Sequence, residues 1–117
     1  MTEVYQKQNI PTTASNESIK FANGLVASGV ICPKLTPLAL RAADSQIVVW
    51  DPSGTGGAEK ALFLSAMAMD TTEGAARKEL IKGGYFNEAA INWPESMTAI
   101  QKAAAFAGTP ISHSVVR

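Results

Sequence analysis

The sequence has very few of the residues on which metal sites and disulfide-stabilised folds depend. Its 117 residues include one cysteine, Cys32, and one histidine, His113. A single cysteine cannot form an intrachain disulfide, and no Cys/His spacing is typical of a metal site. We therefore expect one small domain that needs neither an oxidising compartment nor a bound metal, and we predict no cofactor.

The chain also lacks an excess of charge of either sign. Ten Lys plus Arg balance ten Asp plus Glu, and charged residues make up only 17% of the chain. Proteins that hold nucleic acid by neutralising phosphates usually carry a basic excess or patch. The composition therefore argues against direct nucleic-acid binding. The low charged fraction favours a surface that partly faces another protein.

Long hydrophobic runs are missing as well. The longest mostly apolar stretch, residues 61–69, is far shorter than the ~20 residues that a membrane-spanning helix needs. Residues 1–9 have neither the basic start nor the apolar stretch of a secretory signal. We expect a soluble protein that makes no membrane contact and is intracellular where it is made.

The N-terminal segment, residues 1 to about 24, differs in composition from the rest of the chain. It is rich in Thr, Ser, Asn and Gln, and Pro11 interrupts any helix. Its isolated apolar residues are Val4, Tyr5, Ile10 and Ile19. Such a segment cannot bury enough apolar area to offset its ordering entropy. Composition favours a frayed terminus over an arm that orders on a partner by strand addition.

Residues 25–117 have the composition of a globular domain. Pro33 and Pro37 separate short apolar pieces, which should be short strands or extended loops. Residues 46–50 are the clearest strand, because β-branched residues and an aromatic follow one another. This strand is apolar on both faces, so both are buried or one lies at a subunit contact. Residues 51–57 predict a loop.

Two further segments are ambiguous from their residues. Residues 61–69 fit a buried strand better than a helix, because turn signals bound them on both sides. Residues 77–82 are followed by Gly83 and Gly84. They fit a short helix stopped by glycine, or equally a strand entering a Gly-Gly hairpin whose second arm starts at Tyr85.

A helix is predicted near the C-terminus. A strand through Ile91 should end at Trp93, because a residue before proline is driven toward an extended conformation. Pro94 then suits the first helical position, and Glu95 complements the positive helix end. The predicted buried face comprises Met97, Ile100, Ala104 and Ala107. Gly108 is placed to end the helix.

No catalytic arrangement emerges from the residues. The glycine-rich loop ending at Gly57 lacks the lysine and hydroxyl residue that a phosphate loop needs. His113 is interpreted as a solvated tail residue, and the carboxylates are scattered among turns and helix starts. Trp50 and Trp93 fit core positions better than interface anchors. We predict a protein that is no enzyme and works by binding and shape.

Four short motifs carry a resemblance to a known family. In chain order they are Leu35-Thr36-Pro37-Leu38, Val49-Trp50-Asp51, Trp93-Pro94-Glu95 and Ala105-Phe106-Ala107-Gly108-Thr109-Pro110-Ile111-Ser112. With these motifs the chain resembles, from residue 35 to residue 112, the head decoration (capsid-stabilising) proteins of bacteriophage lambda and its relatives. The stretch Lys82-Gly83-Gly84-Tyr85-Phe86 is similar to the family's hairpin before the tryptophan, which favours the strand over the helix.

The resemblance implies a mainly β (α+β) fold of the β-clip type, with one short C-terminal helix and a flexible N-terminal arm. It implies that residues 1–24 dock on the major capsid protein and that residues 25–117 form the decoration domain. It also implies a homotrimer at three-fold positions of the expanded icosahedral head, on the outer surface of the virion, made in the host cytoplasm. The head would thereby be stabilised against internal DNA pressure.

Two groups of site residues follow from the resemblance. The capsid-binding residues of the arm would be Val4, Tyr5, Ile10, Pro11, Thr12 and Thr13. Structural or trimer contacts would be made by Trp50, Trp93, Pro94, Glu95 and Phe106. The alternative is a minor virion or adaptor protein that uses the same scaffold without coating the shell. The number of copies on a particle distinguishes the two.

Overall fold

The computed structural model describes residues 19–95 and 97–114 of the chain. Within these residues the fold is mainly β, with one short α-helix, as the sequence predicts. The strands are β1 (Lys20–Val26), β2 (Ile31–Cys32), β3 (Pro37–Arg41), β4 (Gln46–Val49), β5 (Phe63–Ser65), β6 (Met69–Asp70), β7 (Ala76–Asn87) and β8 (Ile111–Ser114). A 3₁₀ turn, Glu88–Ala90, and the helix α1, Ala99–Ala104, lie between β7 and β8.

The main sheet closes on itself. Its strand order is β1-β4-β3-β5-β7-β8, and β1 also pairs with β7, so five strands form a ring to which β8 is added. The β1–β7 pairing is antiparallel and runs the full length of β1, from Lys20 opposite Gly83 to Val26 opposite Ala76. By contrast, β1 meets β4 only where Val26 lies opposite Ile47. The strands β2 and β6 form a separate pair.

Both faces of the sheet are packed, because successive side chains in a strand point to opposite sides. In β3, Leu38 belongs to one core cluster and Ala39 to the other. In β7, Leu80 and Ile81 divide in the same way. This arrangement explains why the central strands are apolar at consecutive positions rather than at alternate ones.

Residues 61–69 form two strands instead of the single buried strand that was predicted. The chain leaves β5 after Ser65 and enters β6 at Met69. Between them, Met67 is exposed, whereas Met69 is buried. The sequence does not indicate this break, because Ala66 and Ala68 are not residues that favour a turn over a strand.

The structure shows which conformation the second ambiguous segment, residues 77–82, adopts: it is part of β7. Residues 77–82 are extended, which confirms the strand, but the Gly-Gly hairpin is wrong because β7 continues through Gly83 and Gly84 to Asn87. Gly84 has a φ of 139°, and a Cβ there would lie 2.9 Å from the Phe86 ring. The glycines therefore let the strand pass close to Lys20 and Pro110 rather than turn.

The strand β1 also changes the boundary of the N-terminal segment. Residues 20–24 were predicted to lie in a flexible arm, and the structure places them in β1, paired with β7. Ile19, immediately before β1, packs against the larger core cluster. The folded domain therefore includes residues 19–24, although their composition groups them with the N-terminal segment.

The loop at residues 51–57 is confirmed, and its glycines give a testable difference. Gly57 has a φ of 102°, and a Cβ there would overlap the carbonyl oxygen of Leu40. Gly56 has a φ of 69° with no atom within 4 Å of the added Cβ. We expect Gly57→Ala to lower the free energy of unfolding by about 3 kcal/mol and Gly56→Ala by about 1 kcal/mol. Urea unfolding of both variants checks this, and equal losses would contradict it.

Candidate functional site

Four aromatic side chains form a connected cluster at one end of the sheet. The Trp50 and Trp93 rings lie 6.3 Å apart between centroids in an edge-to-face arrangement. Phe106 lies 6.3 Å from Trp93, and His113 lies 5.2 Å from Trp93 and 6.1 Å from Phe106. Edge-to-face pairs of this kind add to the stabilisation from burial alone. The cluster joins the residue that follows β4, the segment before α1, the segment after it, and β8.

Both indole groups of this cluster are anchored by hydrogen bonds to the backbone. Trp50 Nε1 donates to the carbonyl oxygen of Glu59 at 2.8 Å. Trp93 Nε1 donates to the carbonyl oxygen of Glu88 at 2.9 Å. A buried indole N–H without an acceptor would cost free energy, so these bonds fix the orientation of both rings. Trp50 is buried and Trp93 is half-buried, so both belong to the packed interior rather than to a projecting surface.

The segment before α1 differs from the predicted helix start. The predicted strand through Ile91 is wrong, because β7 ends at Asn87 and a 3₁₀ turn follows. Pro94 is half-buried and Glu95 is exposed, and both precede the helix. The helix begins after Thr98, which forms a capping box with Gln101. The hydroxyl of a capping threonine satisfies a free amide at the helix start, a role that proline cannot fill.

The predicted buried face of the helix is wrong except at Met97, which is half-buried and packs against the larger core cluster. Ile100 is 81% exposed, and Ala104 and Ala107 are exposed as well. The buried residues are instead Ala105 and Phe106, which follow the helix. Ile100 and Ala104 do share one face of α1, which spans Ala99–Ala104, but that face is exposed, and Met97 and Ala107 lie outside the helix.

Phe106 reaches the cluster through an unusual backbone conformation. Its φ is 65°, in the left-handed region that non-glycine residues seldom adopt. The left-handed turn after α1 carries the side chain back beneath Trp93, where it is 3% exposed. Gly108, predicted to end the helix, has a φ of 83° and lies in the turn that follows.

His113 is not the solvated tail residue that was predicted. Its side chain is 6% exposed, and Nδ1 lies 3.5 Å from Oε1 of Glu88. Nδ1 has no hydrogen-bond partner among the described residues. The strand β8, which pairs with β7 from Gly84 to Asn87, carries the imidazole into the aromatic cluster. His113 therefore packs as a core residue beside a carboxylate.

A surface cleft of about 310 Å³ opens beside the aromatic cluster. Trp50, Trp93 and Pro94 line it, together with residues of β2 and β4. Two apolar side chains at this cleft are solvent-exposed, Ile31 at 69% and Val49 at 38%. The predicted contacts Trp50, Trp93 and Pro94 are thus brought together, whereas Glu95 and Phe106 do not line this cleft.

Cys32 lies in the same cleft lining but is itself buried. Burial raises the pKa of its thiol, and hydrogen bonds with Thr36 and Ser65 oppose this effect in part. The thiolate is the reactive form, so a raised pKa lowers reactivity at neutral pH. We expect Cys32 in the folded protein to react with a thiol reagent such as DTNB at least about tenfold more slowly than in urea. Equal rates at pH 7 would contradict this prediction.

Two carboxyl groups with lowered pKa values lie away from the cluster, Asp44 in a turn and Asp70 at the end of β6. The Arg41 guanidinium donates hydrogen bonds to Asp44 and lowers the pKa of that carboxyl. Hydrogen bonds from the hydroxyl and backbone of Thr72 lower the pKa of Asp70. Both carboxylates accept a backbone hydrogen bond from the second residue after them, Gln46 and Thr72 respectively. Asp44 is a turn residue, as the sequence indicates, whereas Asp70 is the last residue of β6.

Other kinds of site are not formed by the described part of the chain. Within residues 19–95 and 97–114, no group of three or more His, Cys, Asp or Glu side chains could hold a metal ion. Over the same residues, no helix has the length and hydrophobicity to cross a membrane. The predicted arm residues Val4, Tyr5, Ile10, Pro11, Thr12 and Thr13 lie outside the described residues.

These observations define a small, ring-closed β protein whose prominent site is a packed aromatic cluster beside an apolar cleft. Residues 6–114 match the family model described as bacteriophage lambda head decoration protein D. The chain is 36% identical to the head decoration protein of Enterobacteria phage P21 over 111 residues, covering 95% of this chain and 92% of that protein. The chain belongs to the phage lambda head decoration protein family.

A second relative is similar over a shorter length. It is a protein of Escherichia phage N15 named "Putative decoration protein", 35% identical over 81 residues, or 68% of this chain and 69% of that protein. The family is one of structural capsid decoration proteins. A member of this family therefore decorates a phage capsid and is located in the virion.

Proposed function

We propose that this protein binds as a homotrimer at the three-fold positions of the expanded icosahedral phage head and stabilises the head against the pressure of packaged DNA. The observation that carries the proposal is the family match from residue 6 to residue 114, which takes in most of the N-terminal segment and all the described strands. The partner is the major capsid protein. The proposal includes no catalytic step and no cofactor.

The stabilisation follows from linkage. A protein that binds the expanded lattice, but not separated capsomers, favours the intact expanded lattice by mass action. A trimer that bridges several capsomers would make that binding multivalent, so weak individual contacts become strong together. The zero net charge of the chain suits a position on the outer surface, away from the packaged DNA.

The proposal assigns different work to two parts of the chain. Residues 1–18, which we call the arm, would dock on the capsid protein, with Val4, Tyr5 and Ile10 as apolar contacts and Pro11, Thr12 and Thr13 favouring an extended backbone.

The folded domain would hold the arms in place. Trp50, Trp93 and Phe106 hold the packed cluster together, while Pro94 and Glu95 are proposed as trimer contacts. We also propose that the fold is of the β-clip type, as the family resemblance implies.

The stabilising role is tested by challenging DNA-filled heads with heat. Undecorated heads of the cognate phage carrying a full-length genome should release DNA at a lower temperature than the same heads saturated with this protein. Heads carrying a shortened genome are the control, because their lower internal pressure should reduce the difference. Equal release temperatures with and without the protein, despite saturation, would contradict the stabilising role.

A further inference from the structure

His113 is buried among aromatic rings although one of its ring nitrogens lacks a hydrogen bond. The side chain is 6% exposed, and Nδ1 has no hydrogen-bond partner among the described residues. The rings of Trp93 and Phe106 lie 5.2 Å and 6.1 Å from the imidazole, between centroids. A buried polar atom without a partner costs free energy and is rare in folded proteins, which points to a specific role for this one.

Glu88 places a carboxylate next to this nitrogen. Its Oε1 lies 3.5 Å from Nδ1, and the Glu88 side chain is 21% exposed. A carboxylate accepts hydrogen bonds but does not donate them, so the contact is attractive only when Nδ1 carries a proton. The attraction is strongest when the whole ring is positively charged, because charge-assisted hydrogen bonds are stronger than neutral ones.

The backbone holds both groups in position. Glu88 begins the 3₁₀ turn that follows β7, and Asn87 caps that turn by accepting a hydrogen bond from the Ala89 amide. The Glu88 carbonyl oxygen accepts a hydrogen bond from Trp93 Nε1 at 2.9 Å. His113 is held by the pairing of β8 with β7. The carboxylate and the imidazole are therefore brought together by two separate, ordered elements.

A surface cleft gives solvent a route to the pair. Its volume is about 600 Å³, and both Glu88 and His113 line it. The rest of the lining comes from α1, the turn after it and β8, including the hydroxyl residues Thr109 and Ser112. The imidazole can therefore exchange protons with solvent through this cleft while the domain stays folded.

Other charged groups act on the imidazole less directly. Residues 84–87 of β7, residues 91–95 and α1 lie around it, and among the described residues they carry three further titratable side chains, Tyr85, Glu95 and Lys102. Tyr85 precedes Phe86, the residue opposite His113, so it points to the other face of the sheet. Glu95 is exposed, and Lys102 Nζ lies 5.8 Å from the Trp93 ring centroid. The carboxylate in direct contact with the imidazole is that of Glu88.

We propose that Glu88 is the counter-ion that lets His113 take up a proton inside the aromatic cluster, so that an ion pair ties β8 to the turn after β7 at acidic pH. Two opposing effects act on the proton. Burial disfavours the charged imidazole, whereas the adjacent carboxylate favours it. Without the carboxylate, protonation would leave an uncompensated charge in the core. The inference concerns the folded domain alone, so it does not depend on the proposed function.

Replacement of Glu88 by glutamine should destabilise the domain more at acidic pH than at neutral pH. In the Glu88→Gln variant the unfolded chain binds the His113 proton more readily than the folded protein does, so stability falls as the pH decreases through the range in which histidine titrates. We expect this substitution to raise the unfolding equilibrium constant about fivefold more at pH 5.5 than at pH 8.0. Urea unfolding of the full-length protein at one protein concentration measures both values.

A double-mutant cycle shows whether the effect passes through the histidine. His113→Gln removes the titrating ring, and in that background Glu88→Gln should have the same effect on unfolding at both pH values. A pH-dependent difference that persists without the imidazole would overturn the inference, because another group would then be the partner of Glu88.

NMR spectroscopy measures the same effect on the imidazole itself. His113 is the only histidine in the chain, so its ring signals are identified without ambiguity. The pH at which they are half-titrated should be lower by about 1 in Glu88→Gln than in the wild type. Glu79→Gln is the matched control, because it removes an exposed carboxylate from β7, and it should change that pH by less than about 0.3.

The outcomes of the NMR titration decide the inference. An unchanged half-titration pH in Glu88→Gln would overturn it, because the carboxylate would then have no effect on the ring. An equal decrease in Glu79→Gln would also overturn it, since the cause would then be net charge rather than contact. A wild-type imidazole that does not titrate between pH 5 and pH 8 would show that no ion pair forms.

Discussion

Removal of residues 1–18 is expected to weaken binding to expanded heads by about 10²-fold to 10⁴-fold, the range that multivalent linkage provides. Each trimer would lose three arms at once, so the avidity from three linked contacts is lost along with the contacts themselves. The fold should survive, because Ile19 packs on the core and β1 begins at Lys20. Titration of labelled protein onto expanded heads measures the change in binding.

A scrambled arm provides the matched control for this truncation. The variant keeps the length and composition of residues 1–18 but changes their order, so it separates chain length from specific contacts. We expect it to bind as weakly as the truncated protein. If the truncated protein binds as tightly as wild type, the arm does not supply the affinity and the assignment of Val4, Tyr5 and Ile10 is wrong.

Replacement of Phe86 by alanine is expected to lower the free energy of unfolding by about 3–5 kcal/mol. Phe86 is fully buried in the larger core cluster. It lies in the part of β7 that pairs with β8, opposite His113. The Phe86→Ala substitution removes apolar contact area and leaves a cavity where β7 and β8 pair. A loss of this size is a large part of the 5–15 kcal/mol typical of a small domain.

Phe21→Ala is the matched control, because it is the same chemical change at an exposed position of the same sheet. Its expected cost is below about 1 kcal/mol. Chemical denaturation of the two variants at one protein concentration gives the comparison, since unfolding of an oligomer depends on concentration. Equal losses would contradict the placement of Phe86 in the core and Phe21 at the surface.

The strand character of the domain could be predicted because it depends on local sequence. Residues 46–49 form β4, where β-branched side chains follow one another. Residues 51–57 form a loop whose glycines adopt positive φ values at two positions. In both cases the neighbouring residues alone favour one conformation strongly, so tertiary packing has little to change.

The C-terminal region could not be predicted in the same way. Pro94 and Gly108 are good boundary signals for a helix, yet the helix occupies only Ala99–Ala104 between them. Packing of Trp93 and Phe106 against each other fixes the flanking segments in non-helical conformations. Helical spacing predicts that Ile100 is buried, but Ile100 is exposed within α1, because periodicity alone does not show which face of a short helix packs on the domain.

The candidate site was recognised from the sequence only in part. Trp50, Trp93 and Phe106 were chosen through the family resemblance, and the structure brings all three together. His113, the fourth member, is not recognised from the sequence, because a histidine flanked by two serines, four residues before Arg117, is typical of an exposed segment. The signal that places it is the pairing of β8 with β7, a parallel contact between distant segments that local sequence does not encode.

The central claim is that this protein coats the expanded head, and electron cryomicroscopy of saturated heads tests it most directly. Expanded and unexpanded heads of the cognate phage are each incubated with the protein and reconstructed. The account predicts trimeric density at the three-fold positions of expanded heads, hundreds of copies per particle, and bare unexpanded heads. Bare expanded heads, or a handful of copies at one location, would contradict it.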